Sequence, residues 1–348
     1  MKVFRILLPA LGLLLLGFLV GKIGLGKILQ NLSVMGWSFG LVLLLAFGWH
    51  VTNSIAWSFA FPSDAFRPRL VSLFMSKLAG EAVSQLTPLA NLGGEPLKAY
   101  LLRQQSPTSR GLASVVINKT AQVFTGLAFT ALGLSLVIFN WELPQSAPLP
   151  VQVGLATLFT AAALLLLALW RQQRHMFSSL LGLVRRFGIR LEVIERRVAK
   201  AVRIDENISS FYRQNKPRFA LVLGFHACGW MLGACETWII LRGLGQAVDF
   251  EIAFLLTSLT VIINSLFFFM PSNIGVLEGG QVFMFMTLGL DPAVGLSLGI
   301  VKRIRKIFWI SIGWLLLTHL SRALVRDGHA DGDLVVSAQS SSRQGGFR

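Results

Sequence analysis

"TPLANLGGEPLKAY", residues 87–100, sets Pro88, the adjacent Gly93 and Gly94, Glu95 and Pro96 inside a 348-residue chain that is 54% hydrophobic and 14% charged. Apolar runs surround it at residues 6–21, 37–61, 121–139, 151–170, 219–241, 252–270 and 307–319. Crossing hydrocarbon takes about 20 apolar residues in a helix. The sequence therefore reads as an all-α polytopic membrane protein of about six to eight transmembrane helices. Backbone polar groups cannot stay unpaired in lipid, so a broken helix survives there only when buried in protein or lining a watery cavity. The break at Pro88, Gly93 and Gly94 marks such a cavity, and Pro96 suits the first turn of a new helix.

The motif has an echo. "PSNIGVLE", residues 271–278, again puts a proline seven residues before a glutamate, so Pro271 and Glu278 stand 183 residues after Pro88 and Glu95. Lys119 lies 24 beyond Glu95, and Lys302 lies 24 beyond Glu278. Trp49 and Trp57 are eight apart in one span, Trp230 and Trp238 eight apart in another. Two copies of one unit follow, over about residues 37–140 and 219–322. Each holds a Trp-bearing span, a Pro/Gly-broken re-entrant hairpin with a glutamate, and a helix entered by a lysine. The second hairpin has its expected hinges at Pro271 and Gly275, and the stretch 252–290 enters and returns on the external side, as a hairpin or a pair of spans. Copies approached from opposite faces would form an inverted repeat.

The formal charge is +16, yet 12 of the 32 Lys and Arg lie between Arg171 and Arg218, beside four acids. Spread along one polar connection, these charges signal a cytoplasmic face and not nucleic acid. Phe187, Leu191, Ile194 and Val198 recur there at helical spacing, as in an amphipathic surface helix. Residues 140–150 carry one acid, no base and three prolines, as a translocated turn does. The polar region 67–110, with Lys77, Lys98 and four arginines, should be cytoplasmic, as should both termini. Residues 326–348, rich in Ser, Gly and Asp, read as a disordered tail after an integral membrane domain over 1–325. The multi-pass location expected is the cytoplasmic (inner) membrane.

Ionisable residues within membranes are costly and usually face pathways. Glu95 and Glu278 either complement a helix start, worth about 0.3–1 kcal/mol, or bind a substrate amine, a coupling cation or a proton. Asn91 and Asn273, polar residues of the two loops, join them as substrate-binding candidates. In "VKRIRKIFW" the residues Lys302, Arg303, Arg305 and Lys306 share one arc of roughly 160°, with Ile300, Ile304, Ile307 and Phe308 opposite. That face is either a snorkelling anchor or the wall of a phosphate-binding cavity. Lys119 is a snorkelling helix-end residue or the counterpart of Lys302. Glu236 pairs with Arg242 or meets substrate, the pairing being favoured. His50 and His226 read as hydrogen-bonded core residues. Cys228 and Cys235 share one span and read as inert core residues, with neither a disulfide nor a metal site expected. No phosphate-loop, dinucleotide or hydrolase motif occurs, so neither cofactor nor catalytic residue is expected.

"TPLANLGGEPLKAYLL", the later "MPSNIGVLEGG" and the basic helix after it resemble the lysylphosphatidylglycerol synthase transmembrane (flippase-like) family, over about residues 6–321. The resemblance implies a lipid-flippase fold with two re-entrant hairpins. It also implies a stand-alone transporter, not an enzyme, that moves the head of an anionic, aminoacylated or isoprenoid-linked lipid between leaflets. Membrane lipids, and a separate lipid-modifying or glycosyltransferase enzyme, would be its partners. A membrane scaffold and a membrane-embedded transferase are the alternatives. Two departures stand out: Pro271-Ser272-Asn273 replaces the family's common Pro-Gly turn, and no soluble acyltransferase domain follows Ser321.

Overall fold

The computed structural model describes residues 33–62, 67–85, 93–140, 206–266 and 275–344, with Gly26, Thr160, Arg203 and Ile204; positions 136–140, 266 and 323–344 are described for backbone alone. In chain order these residues form α1 (Ser38–Phe59), α2 (Leu70–Ser84), α3 (Glu95–Leu101), α4 (Thr108–Asn140), α5 (Lys216–Gly243), α6 (Phe250–Leu266), α7 (Val276–Thr287) and α8 (Pro292–Gln344). No strand occurs among the described residues. The helices α1 and α5 and the Thr108–Ser135 part of α4 are long and apolar enough to cross a membrane, and α6 is a shorter apolar helix. They fall where the apolar runs predict spans, and the run at 307–319 lies within α8. The spans expected at 6–21 and 151–170, and most of the connection 171–218, lie outside the described residues, as do Pro88, Asn91, Pro271 and Asn273. The backbone of α8 stays helical through Gln344, over most of the stretch whose composition reads as a tail.

These helices are built inside out. On α1, Leu41, Leu44 and Phe47 face outward, whereas His50, Asn53, Ser54 and Ser58 are buried. A hydroxyl away from water needs a partner, and the helix supplies one. Ser54 donates to the His50 carbonyl at 2.8 Å, and on α6 Thr257 donates to the Ala253 carbonyl at 2.8 Å.

The segments 37–140 and 219–322 interlock. The helices α1 and α5 pack along each other, while α2 packs on α8 and α6 on α4. A helix of each segment's Pro/Gly region thus lies against the last helix of the other segment. Both crossings are made close by a glycine, Gly313 against the Leu78 carbonyl and Gly133 against Ser258, as small residues allow between membrane helices. Within the first hairpin, a Cβ on Gly94 would stand 1.8 Å from the Gly80 carbonyl oxygen. Only glycine fits there, and its N–H donates to Ser84 Oγ at 3.0 Å. In the second hairpin Gly275 takes a left-handed φ of 77° immediately before α7, which a side chain would strain.

Within the polar region 67–110, α2 and α3 bury Lys77 and Lys98 to 3% and 7% exposure. Each ammonium has a carboxylate within a turn, Glu81 at 2.8 Å from Lys77 and Glu95 at 3.0 Å from Lys98. That pairing lets a charge leave water.

Candidate functional site

Every helix from α1 to α8 contributes to one cavity of about 390 Å³. Trp49 and His50 of α1 and Trp230 and Glu236 of α5 form facing parts of its wall. The hairpins add Glu81, Glu95 and Lys98 from the first copy and Thr260, Asn264 and Leu277 from the second. The last helices add Lys119 and Gln122 from α4, and Lys302, Arg305, Lys306 and Trp309 from α8.

The basic face of α8 points inward. Lys302 and Arg303 are buried, Ile300 is also buried, and Phe308 of the opposite arc is exposed. This is the cavity-wall arrangement, not the snorkelling one. Lys119 occupies the corresponding place on α4: its ammonium reaches Gln122 Oε1 at 3.2 Å and Glu95 Oε1 at 3.7 Å. Four of the residues singled out from sequence therefore meet in one place, namely Glu95, Lys119, Lys302 and Arg305.

Glu278 and Arg303 do not join them. Arg303 Nη2 donates to Glu278 Oε2 at 2.7 Å, Arg303 Nε donates to the other carboxylate oxygen, and neither residue lines the cavity. A planar guanidinium matches a carboxylate in this two-pronged way. Arg303 is 2% exposed, so the pair is a sealed internal tie. Glu236 also departs from expectation: its partner is Arg305, whose Nη1 lies 2.6 Å from Oε2, and not Arg242, whose guanidinium sits over the Trp238 ring. Arg242 lies in the last turn of α5, more than a turn beyond Glu236 on the same helix, whereas α8 brings Arg305 directly against Glu236.

Sequence reasoning passed over Glu81, Lys98 and His50 as cavity residues, whereas Lys306, on the basic arc read as a cavity wall, does line it. His50 is hydrogen-bonded as expected of a core histidine, its Nδ1 accepting from the Lys77 ammonium at 2.9 Å, yet it also lines the cavity. His226 meets Asn118 Oδ1 at 2.9 Å. A signal for Glu81 existed: Lys77 and Glu81 are spaced i, i+4, the geometry of a paired helix face. Cys235 is half-buried, but Cys228 is exposed and so no core residue. Among the described residues no cluster of metal-ligating side chains occurs.

Helices of transmembrane length, apolar outside and closing on a charged interior, define an integral membrane protein. The chain belongs to the family described as the lysylphosphatidylglycerol synthase TM region, whose model matches residues 5–313. It is 26% identical over 249 residues to a UPF0104 membrane protein of Methanothermobacter thermautotrophicus, covering 69% of this chain and 72% of that one. A second such protein of the same organism is 24% identical over 318 residues, covering 87% and 88%. A UPF0104 membrane protein of Pyrococcus horikoshii is 21% identical over 287 residues, covering 78% and 84%. No solved structure matches the chain.

Proposed function

We propose that this protein is a flippase-like transporter. It moves the polar head of an anionic, aminoacylated or isoprenoid-linked lipid between the leaflets of the cytoplasmic membrane while the tails stay in hydrocarbon. One observation carries the reading: charged side chains from both copies converge on a single cavity enclosed by helices whose outer faces are apolar. Ion pairs inside a bundle are costly to assemble and are kept where a polar cargo passes. Rocking of one copy against the other would open the cavity to each side in turn, as inverted-repeat transporters do.

During that motion the chain's ion pairs act as exchangeable contacts. Arg305 leaves Glu236 for a headgroup phosphate, and Lys98 and Lys119 share Glu95 when the cavity is unloaded. A separate lipid-modifying or glycosyltransferase enzyme would supply or consume the lipid on one face, with both termini of this chain cytoplasmic. The family's name and its membrane-protein relatives support the lipid setting.

Purified protein in proteoliposomes, loaded with headgroup-labelled lipids in one leaflet, is expected to expose the label in the other leaflet. Glu95→Gln should abolish that exposure while the protein stays folded. Folded protein that translocates no candidate lipid would sink the proposal. Product formed from a lipid carrier in detergent would favour a transferase instead, and cellular function surviving Glu95→Gln would favour a scaffold.

A further inference from the structure

We infer, resting on the transport reading above, that the group taken into the cavity is a lipid-linked phosphate bearing two negative charges, a phosphomonoester or a diphosphate, and that Lys302 is its principal contact. The wall sets the sign. Lys98, Lys119, Lys302, Arg305 and Lys306 face only Glu81, Glu95 and Glu236, a surplus of two positive charges. Lys77, bound behind Glu81 at 2.8 Å, does not line the cavity and stands outside this count.

The carboxylates are already engaged. Glu81 is held by Lys77, Glu95 by Lys98 at 3.0 Å and Glu236 by Arg305 at 2.6 Å. A zwitterionic or aminoacylated head would bring its ammonium to a wall already rich in cations, with each acid claimed. A phosphodiester of single charge would offset half of the surplus. A phosphomonoester or diphosphate matches it, and inside a bundle of low dielectric such matching decides what enters.

Lys302 locates the contact. It is 8% exposed, it lines the cavity, and it makes no hydrogen bond or ion pair with any described residue. The carboxylate that acts on its ammonium, Glu236, is already held by Arg305 at 2.6 Å, and burying an ammonium so weakly compensated is unfavourable. Three residues on, and so on the same face of α8, Arg305 turns Nη1 to Glu236 while its Nε is buried without a partner. One edge of the guanidinium fork is thus left for an oxygen atom, the geometry in which arginine binds phosphate.

The test is a calorimetric titration of the full chain in a neutral detergent. The probes are dihexanoyl phosphatidic acid, geranyl diphosphate, dihexanoyl phosphatidylglycerol, dihexanoyl phosphatidylcholine and inorganic phosphate. The first two are expected to bind about tenfold or more tighter than the phosphatidylglycerol, with no binding of the phosphatidylcholine. Lys302→Gln should lose about tenfold in affinity for phosphatidic acid, and Lys302→Arg should recover most of it. The Gln variant should also melt no lower than the parent, because it removes a buried charge, so lost binding could not be put down to misfolding. Equal affinity for the zwitterionic lipid, or phosphatidic acid binding untouched by Lys302→Gln, would overturn the inference. Inorganic phosphate binding as tightly as phosphatidic acid would overturn the lipid source. In proteoliposomes, translocation of lipids lacking a doubly charged phosphate would defeat this inference and leave transport standing. Selective binding with no translocation of any lipid would defeat transport alone.

Discussion

The two hairpins share a sequence frame and divide the chemistry. At the 183-residue offset that brings Glu95 onto Glu278, the charged Lys77, Glu81 and Lys98 of the first hairpin fall on Thr260, Asn264 and Gln281 of the second. The first hairpin holds its lysines with two carboxylates. In the second, the neutral residues at the two lysine positions bond each other, Gln281 Nε2 donating to Thr260 Oγ1 at 2.9 Å. Its glutamate is meanwhile tied to Arg303, away from the cavity. Charge has shifted in the opposite sense on the last helices, where Gln122 of α4 falls on Arg305 of α8. The shared frame brings similar positions together, and the two segments place their acids differently: Glu95 faces the cavity, and Glu278 ties α7 to α8.

That contrast can be broken by substitution. Glu278→Ala strands Arg303 at 2% exposure, and removing one partner of a buried pair costs about 3–5 kcal/mol. A thermal melt in detergent should show it as the largest loss of the set, and a Glu278→Ala protein of parental stability that no longer transports would reverse the roles assigned. Gly94→Ala should come next, at about 1–3 kcal/mol or more, since the methyl group would strike the Gly80 carbonyl. Gly280→Ala meets only the Ile263 side chain at 3.0 Å and should cost under about 1.5 kcal/mol, so comparable melts for the two would refute the tighter crossing in the first hairpin. Glu95→Gln should cost only about 1 kcal/mol, because the amide still accepts a hydrogen bond from Lys98. Its effect belongs in the transport assay, where the loss should be complete. The smallest signal belongs to Cys228: exposed on α5, it should react with a membrane-permeant maleimide before Cys235 does, as mass spectrometry would record.

Much of this arrangement could be read from the chain because lipid imposes strict rules. The Trp-bearing spans and the glycine break at Gly94 follow from apolar length and from backbone hydrogen bonds that must close within each helix. Glu95, Lys119, Lys302 and Arg305 were visible as charges set in apolar sequence. Lys77, Glu81 and Lys98 were not, for in a locally polar stretch a buried ion pair has the same composition as a solvated loop. The division between Arg303 and Lys302 was also hidden. They are neighbours on one helix, and only the course of α7 past α8 decides which of them meets Glu278. Glu236 found Arg305 for the same reason: partners from distant segments leave no local spacing to detect.

The interlocking of α2 with α8 has a consequence for how the protein is made. A ribosome delivers α2 and its Lys77–Glu81 pair long before Pro292, where α8 begins, so the first hairpin must wait in the membrane without the surface it will rest on. Chains of this kind cannot mature one half at a time as independent domains do. A nascent form stalled before α8 would keep a polar hairpin unsheltered, a natural target for membrane-embedded quality control.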